Sequence, residues 1–305
     1  MIDVKNKIGI PKYKQIISSI EEAILSGTLR KGDQIPSINS IKDEHKLSRD
    51  TVLMAFNELK SRGIIHSVVG KGYYVSSENI DIKQKIFLLF DELNAFKEDL
   101  YSSFLEHLGD NIQVDIYFHH FNKKSFSKLI HENAGDYNYY VIMPANIQNT
   151  AQAIKTLPHD KVYILDQVHD DLFEYPAIYQ NFEKAIFNNL TKVIPLIKKY
   201  NKLILVFSEE KQPEGMRQGF IMFCKKNDLP FSVITTLKDK TLEKGKLYIT
   251  PDDKNLLRII KRIKSQNFIL AKDVGVISYN DTLLKEIVEG GITTISTDFN
   301  QMGQR

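Results

Sequence analysis

SRDTVLMAFNELKSRGIIHSVVGKGYYV, residues 48–75, changes its hydrophobic period in mid-run, and that change decides how the front of the chain folds. Val52, Ala55, Phe56 and Leu59 recur at three- and four-residue spacing behind Ser48, a residue type whose side chain caps helix starts, and Gly63 stands where such a helix stops. Ile64–Val69 and Tyr73–Val75 then flank Gly70–Lys71–Gly72, which reads as two strands around a glycine turn. Upstream, Tyr13, Ile17, Ile20 and Ile24 mark a first helix ended at Gly27. Ser37 caps a short second helix that turns Ile38 and Ile41 inward, and the chain turns again after His45 and Lys46. Three helices and a β-hairpin make a winged helix-turn-helix.

Packing accounts for the apolar stripe of the third helix but not for Arg49 at its tip. A helix N-terminus already favours phosphate through free N–H groups and its dipole, and a guanidinium fork suits a guanine edge or a phosphate. Thr51 adds a hydroxyl, and Lys71 on the wing can reach a phosphate or the minor groove. The charge balance agrees with this reading. Residues 1–75 hold 12 Lys and Arg against 8 Asp and Glu, whereas the rest holds 29 against 30, so the net +3 sits at the front. With 305 residues and 42% hydrophobic content, the chain can fill two or three cores. A single cysteine, Cys224, excludes an internal disulfide, and no apolar run has the length of a signal peptide or a membrane span. A cytoplasmic protein is expected.

Residues 10–75 resemble the DNA-binding domain of GntR-type transcription factors. The pattern is carried by Pro11–Tyr13–Gln15–Ile16, Ile24–Gly27, Gly32–Asp33, Pro36–Ser37, Ser48–Arg49–Thr51–Val52–Ala55, Leu59, Gly63–Ile64 and Gly70–Lys71–Gly72–Val75. The resemblance implies operator contacts from Ser37, Asn39, Ser48, Arg49, Asp50, Thr51, Lys71 and Gly72. Asn39 and Leu53 stand where the family often has arginines, so the operator is expected to be read mainly through Arg49, Thr51 and the Lys71 wing.

Residues 76–84, SSENIDIKQ, are polar and aperiodic, as a linker would be. Beyond them, strand and helix patterns alternate. Strands are expected at Ile86–Phe90, Gln113–Phe118, Tyr139–Met143 and Lys161–Leu165, separated by helices at Phe96–Leu108, Lys124–Asn133 and Ile147–Leu157. A second series follows, with helices at Phe182–Lys199, Gly215–Asn227 and Lys254–Ser265 and strands at Lys202–Phe207, Phe231–Ile234, Lys246–Ile249 and Val274–Ser278. Two such series imply two α/β subdomains with parallel sheets, divided by a cleft. Residues 85–305 then form one body, with subdomain one at about 85–168 and 293–305 and subdomain two at about 169–292.

Ligands of open parallel sheets bind beyond the carboxyl ends of the strands. The loops there supply Asp91, Glu92, Asn94 and Phe96; Asp166 and Gln167; Arg217; Asp252 and Asp253; and Asn280 and Asp281. Carboxylates and amides bind hydroxyls, an arginine bridges oxygens and an aromatic ring covers an apolar face, which is the equipment for a sugar. An Asp at a strand end also serves simply as a helix cap.

A second resemblance covers the body. PEGMRQGFIMFCKKNDL (213–229), ITPDDKNLLRIIKRIKSQNFILAKDVGVISYND (249–281) and ITTISTDFNQMG (292–303) resemble the periplasmic-binding-protein-like (type I) effector domain of LacI-type repressors. That resemblance implies a ligand-oxygen contact from Arg217, Asn280 in place of a ligand-binding aspartate, and Asp166 and the Gln180–Asn181 region lining the cleft; with Asp91, Glu92, Phe96, Asp252 and Asp281 from the strand-end loops, these are the expected effector contacts. It also implies a further helix and strand after Met302–Gly303, so a truncated C-terminus is expected. Together the two resemblances imply the arabinose-repressor-like arrangement. That means an α/β multidomain homodimer on double-stranded operator DNA, a repressor released by a monosaccharide such as the pentose arabinose or the deoxyhexose fucose, with no cofactor and no membrane partner. The rival reading, a winged helix fused to a small-molecule enzyme, lacks its motifs: neither a Gly-x-x-x-x-Gly-Lys-Ser/Thr loop nor a Gly-x-Ser-x-Gly elbow occurs. His119–His120 suggests a metal, but adjacent side chains on a strand point to opposite faces, and no metal or catalytic residue is expected.

Overall fold

The computed structural model describes residues 2, 4, 10–238 and 240–305. Helices α1 (Lys12–Leu25), α2 (Ile38–His45) and α3 (Arg49–Ser61) precede the antiparallel hairpin of β1 (Ile65–Val68) and β2 (Gly72–Val75). Isoleucines at 16, 17, 20, 24 and 41 close over Val52, Ala55, Phe56 and Leu59 of α3 as one apolar core. Backbone punctuation falls where the sequence placed it: Gly27, Lys46, Gly63 and Gly70 all take left-handed φ values, at 73°, 53°, 71° and 73°.

The body contains two parallel five-stranded sheets. The first is built from β3 (Gln84–Phe90), β4 (Ile112–Phe118), β5 (Tyr139–Ile142), β6 (Val162–Asp166) and β7 (Ala177–Tyr179), in the order β4-β3-β5-β6-β7. Helices α4 (Ala95–Glu106), α5 (Lys123–Glu132) and the single turn α6 (Ala151–Ile154) form its crossovers. After α7 (Phe182–Lys192) and α8 (Ile194–Ile197), the second sheet runs β12-β11-β10-β8-β9. Its strands are β8 (Lys202–Val206), β9 (Phe231–Ile234), β10 (Lys246–Thr250), β11 (Val274–Tyr279) and β12 (Thr293–Ile295). Helices α9 (Glu214–Lys226), α10 (Asp253–Ser265) and α11 (Leu283–Ile287) connect them, and α12 (Phe299–Gln304) follows. Each sheet is covered on both faces by apolar clusters, as parallel sheets require.

Several expectations need correction. β3 opens at Gln84, inside the segment expected to be linker, and that segment is not free. Arg62, 5% exposed, donates to the Ile80 and Ile82 carbonyls at 3.0 and 2.9 Å and to Glu21 at 2.5 Å. The helix expected over 147–157 shrinks to α6 because Ala145 and Asn149 adopt positive φ and the stretch between them runs as loop. The helix expected over 182–199 breaks at Val193, where Pro195 lacks the N–H to continue it. The subdomain boundaries also shift: β7 belongs to the first sheet and β12 to the second, and only α12 returns to pack on α4 of the first lobe. Three-residue edge strands carry too little pattern to be read in advance.

α7 and α9 cross closely because Gly219 lets the helices touch; a Cβ there would overlap the Glu183 carbonyl. Gly219→Ala should therefore destabilise the second lobe by about 1–3 kcal/mol in urea unfolding, the cost of overpacking a fitted contact. An unchanged midpoint would mean that the helices separate freely.

Candidate functional site

At the tip of α3, Ser48 Oγ accepts from the Thr51 amide at 3.1 Å and lies 2.7 Å from Thr51 Oγ1. Ser37 caps α2 in the same way through the Ser40 amide at 3.1 Å. Both serine side chains and the Thr51 hydroxyl are thus engaged in holding helix starts. Arg49, Asp50 and Asn39 project exposed. Lys46, exposed in the left-handed turn before α3, adds a cation that the sequence reading passed over as a turn residue. On the wing, the Lys71 carbonyl accepts from Gln34 Nε2 at 2.7 Å, leaving the ammonium in solvent, and Gly72 at φ 117° keeps its backbone clear beside the same amide.

The far end of α3 is docked on the first lobe. Lys60 pairs with Asp136 at 2.7 Å, and Asn138 Nδ2 donates to Ser61 Oγ at 3.1 Å while its carbonyl takes the Lys85 amide at 2.8 Å. The exposed tip and the body are therefore opposite ends of one rigid helix.

In each sheet the order reverses at its first strand, β3 or β8, so the loops that follow those strands flank the cleft. These loops meet. Glu92 pairs with Lys211 at 2.7 Å, Lys211 lies 4.9 Å over the Phe121 ring, and Asn146 Nδ2 donates to the Gln212 and Glu209 carbonyls at 2.6 and 3.0 Å. Between them opens a cavity of about 670 Å³ lined by Glu92, His120, Phe121, Asn146, Gln148 and Lys211, among others. His120 and Phe121 both hold positive φ, a strain that loops at binding sites commonly carry.

Deeper in, Asp91 and Lys97 form a buried ion pair, each 4% exposed. Burial lowers the Lys97 ammonium to about 8, with the Asp166 carboxylate acting against that shift and Lys211 adding to it. Asp166, 7% exposed and at φ 71°, accepts from Gln180 Nε2 at 2.5 Å; burial raises its carboxyl, opposed by Lys97 and Gln180. Thr297 Oγ1 in turn donates to Gln180 Oε1, so a hydrogen bond joins the segments that follow β7 and β12 and cross between the lobes. From the second lobe, Tyr279 lies close enough for the Asp166 carboxylate to act on its hydroxyl, which burial pushes well above the ordinary phenol range. Asn280, at φ 59° and 7% exposed, is held by Lys285 beneath it, whose Nζ donates to the Tyr279 and Asn280 carbonyls at 2.7 and 2.6 Å.

Glu92 therefore lines the cavity, Asp91 and Asp166 lie buried around Lys97, Asn280 is buried at the end of β11, and other expected contacts have local employment. Asp252 caps α10 through the Asn255 amide at 2.8 Å, and Asn181 caps α7 through Lys184 at 3.0 Å. Arg217 is clasped by Glu214 on its own helix, with Nε 2.9 Å from Oε1. Asp281 is exposed and accepts from Thr282 at 3.1 Å. Phe96 turns under the sheet and stacks on Phe299 at 5.0 Å instead of facing the cleft. Lys97 and Thr297 escaped the sequence reading. A lysine in the first turn of α4, where the helix dipole disfavours it, was the available signal for the former. His119 is fully buried, its Nε2–H donating to the Met143 carbonyl at 3.0 Å, while His120 lines the cavity mouth.

A winged helix-turn-helix carried on a two-lobed, doubly wound α/β body is the fold of a class of transcriptional regulators. The sequence of the head matches the family model "Bacterial regulatory proteins, gntR family" over residues 12–75. It is 33% identical over 100 residues to the HTH-type transcriptional repressor YtrA of Bacillus subtilis, covering 33% of this chain and 73% of that protein. It is also 35% identical over 78 residues to the arabinose metabolism transcriptional repressor of Geobacillus stearothermophilus, over 24% of this chain but only 21% of that one. The chain belongs to the GntR family. The body has the fold of LacI-type regulators. The trehalose repressor from Escherichia coli aligns with a TM-score of 0.58 at 12% identity, over 72% of this chain and 89% of that one. A LacI family regulator from Lactobacillus casei, solved with bound glucose, aligns at 0.59 and 12% over the same shares.

Removing one member of a buried ion pair strands the other charge. Lys97→Met should cost about 3–5 kcal/mol in thermal unfolding, much of it recovered by also making Asp91→Leu. Acid sensitivity follows from His119, which burial holds at about 4 against its ordinary 6.5. The unfolded chain takes that proton first, so this stabilisation is complete above about pH 6.5 and drains away as pH falls toward 4. Unfolding midpoints should drop over that window, and His119→Gln should flatten the drop.

Proposed function

We propose that this protein is a cytoplasmic transcriptional repressor that binds a palindromic operator as a homodimer and is released by a sugar bound between its lobes. The observation that carries the reading is the juxtaposition in one chain of an exposed Arg49 tip and a polar interlobe cavity, with α3 docked on the first lobe between them. A ligand that prefers one arrangement of the lobes shifts the population toward it. In a dimer, each head follows its own first lobe through Lys60–Asp136 and Ser61–Asn138, so lobe closure alters the separation of the two recognition helices. Ser37, Asn39, Ser48, Asp50, Thr51, Lys71 and Gly72 support Arg49 at the DNA, partly by capping and partly by direct contact. No cofactor is needed. The names of relatives whose heads align, repressors of arabinose metabolism and of mannosyl-D-glycerate transport and metabolism, fit a role in sugar use. Arabinose and fucose are the first sugars to test.

Operator fragments selected from a random library with the full-length protein provide the assay. Arg49→Ala should lose about 1–3 kcal/mol of operator binding with folding intact, and wild-type affinity should fall steeply with salt as counterions are released. Gel shifts with and without each sugar that stabilises the protein test the release. Equal operator affinity for wild type and Arg49→Ala removes the assigned reader, and failure of every carbohydrate to bind removes the effector.

A further inference from the structure

Along the exposed side of α3, free positive charge ends at the helix tip. Arg49 and, in the turn before it, Lys46 are exposed, whereas Lys60 at the far end is taken by Asp136 at 2.7 Å. Helical spacing carries the face that Arg49 and Asp50 begin into Leu53, Met54 and Asn57. None of these three is charged. Leu53 is half-buried and Met54 is 54% exposed. Among the described residues, neither packs into the apolar core of the head, which takes Val52, Ala55, Phe56 and Leu59 from the other side of the helix.

A lone exposed methionine on a protein surface needs no explanation. Two adjacent apolar side chains behind an arginine that faces DNA are different, because binding carries them toward a groove lined with hydrogen-bonding groups. At 1.5 Å per residue, Leu53 and Met54 stand about 6 Å beyond Arg49 and Asp50, a reach of about one to two base-pair steps. A helix lying in the major groove presents such residues to base edges. Over a guanine, adenine or cytosine edge, an aliphatic side chain strips water from donors and acceptors and offers nothing in exchange. The thymine C5-methyl is the apolar group that the major groove displays. Contact with it removes apolar surface from water on both partners, and the unbranched, polarisable thioether of Met54 adapts its shape to such a contact.

We infer that Leu53 and Met54 form an apolar reading surface for thymine methyl groups, so that each operator half-site carries thymine about one to two base pairs from the group that Arg49 engages. The inference rests on the operator-binding reading above and deepens it. A methyl contact displaces no counterion, so its share of the affinity does not vary with salt, unlike the share from phosphate contacts.

Replacing thymine by uracil isolates the methyl, because uracil keeps the hydrogen-bonding groups of thymine. In an operator selected with the full-length protein, uracil is introduced one position at a time and affinity is read by fluorescence anisotropy. With the wild-type protein, one or two positions in each half-site should weaken binding about 3- to 5-fold, the effect of one buried CH2-sized group, and by the same factor at low and high salt. Leu53→Ala and Met54→Ala, checked for folding by circular dichroism, should between them abolish that sensitivity, whereas Arg49→Ala should weaken binding to the thymine and uracil duplexes alike. An operator indifferent to every replacement overturns the inference and leaves operator recognition standing. A sensitivity that persists at full strength in both alanine variants places the methyl contact elsewhere and overturns it equally. If no operator can be selected from the library, the DNA-binding reading beneath it fails.

Discussion

The guanidinium of Arg62 is the hinge on which the domain arrangement turns. A buried arginine must satisfy its donors or leave a charge stranded in apolar surroundings, and Arg62 does so with Glu21 of α1 and two carbonyls of the segment leading to β3. Those carbonyls exist only if residues 80–82 lie back against the head, so a segment of linker composition becomes part of the head's own packing, with Ile80 set against its core. The start of β3, and with it the first lobe, is thereby fixed relative to α3. A flexible tether would have left the head insensitive to anything that happens in the body.

Within the body, strained backbone and buried charge coincide. Asp166 and Asn280 end strands in different sheets, both at left-handed φ, and each is held there by a neighbour that makes no sense as mere packing: Gln180 for one, Lys285 for the other. The Gln180–Thr297 bond lies on the two crossing segments themselves, just beyond β7 and β12. Rotation of one lobe against the other must therefore disturb the group that also contacts Asp166. A ligand that engaged Asp166 would share atoms with the lobe geometry, which is the physical requirement for a ligand to bias one arrangement over another.

Much of this was written in the sequence where a residue had one strong local reason to be where it is. Ser37 and Ser48 cap, Gly27 and Gly63 terminate, and the α3 stripe is buried, because capping and periodicity act within a turn or two. The parallel strands with long apolar runs were equally legible. Site residues were harder, since an Asp at a strand end reads identically whether it faces a cleft or caps the next helix. Asp252 is of the second kind, whereas Asp91 and Asp166 lie buried around Lys97 and Gln180. Lys97 went unread because its partners lie in the loop before it and on β6, and only the fold brings those two carboxylates to one ammonium. Edge strands β7 and β12 escaped for a related reason: three residues held by a neighbouring strand show little pattern of their own.

The return of α12 to α4 also sets an order of assembly. During synthesis the head is complete once residue 82 has emerged, the second sheet only when β12 adds to β11, and the first lobe only when Gly303 slides against Ser103 and Leu100. The part with the exposed Arg49 tip therefore matures on the ribosome before the lobe it leans on. For an interval the nascent chain presents a finished winged helix with no completed first lobe to lean on, because α12 must emerge before it can pack on α4.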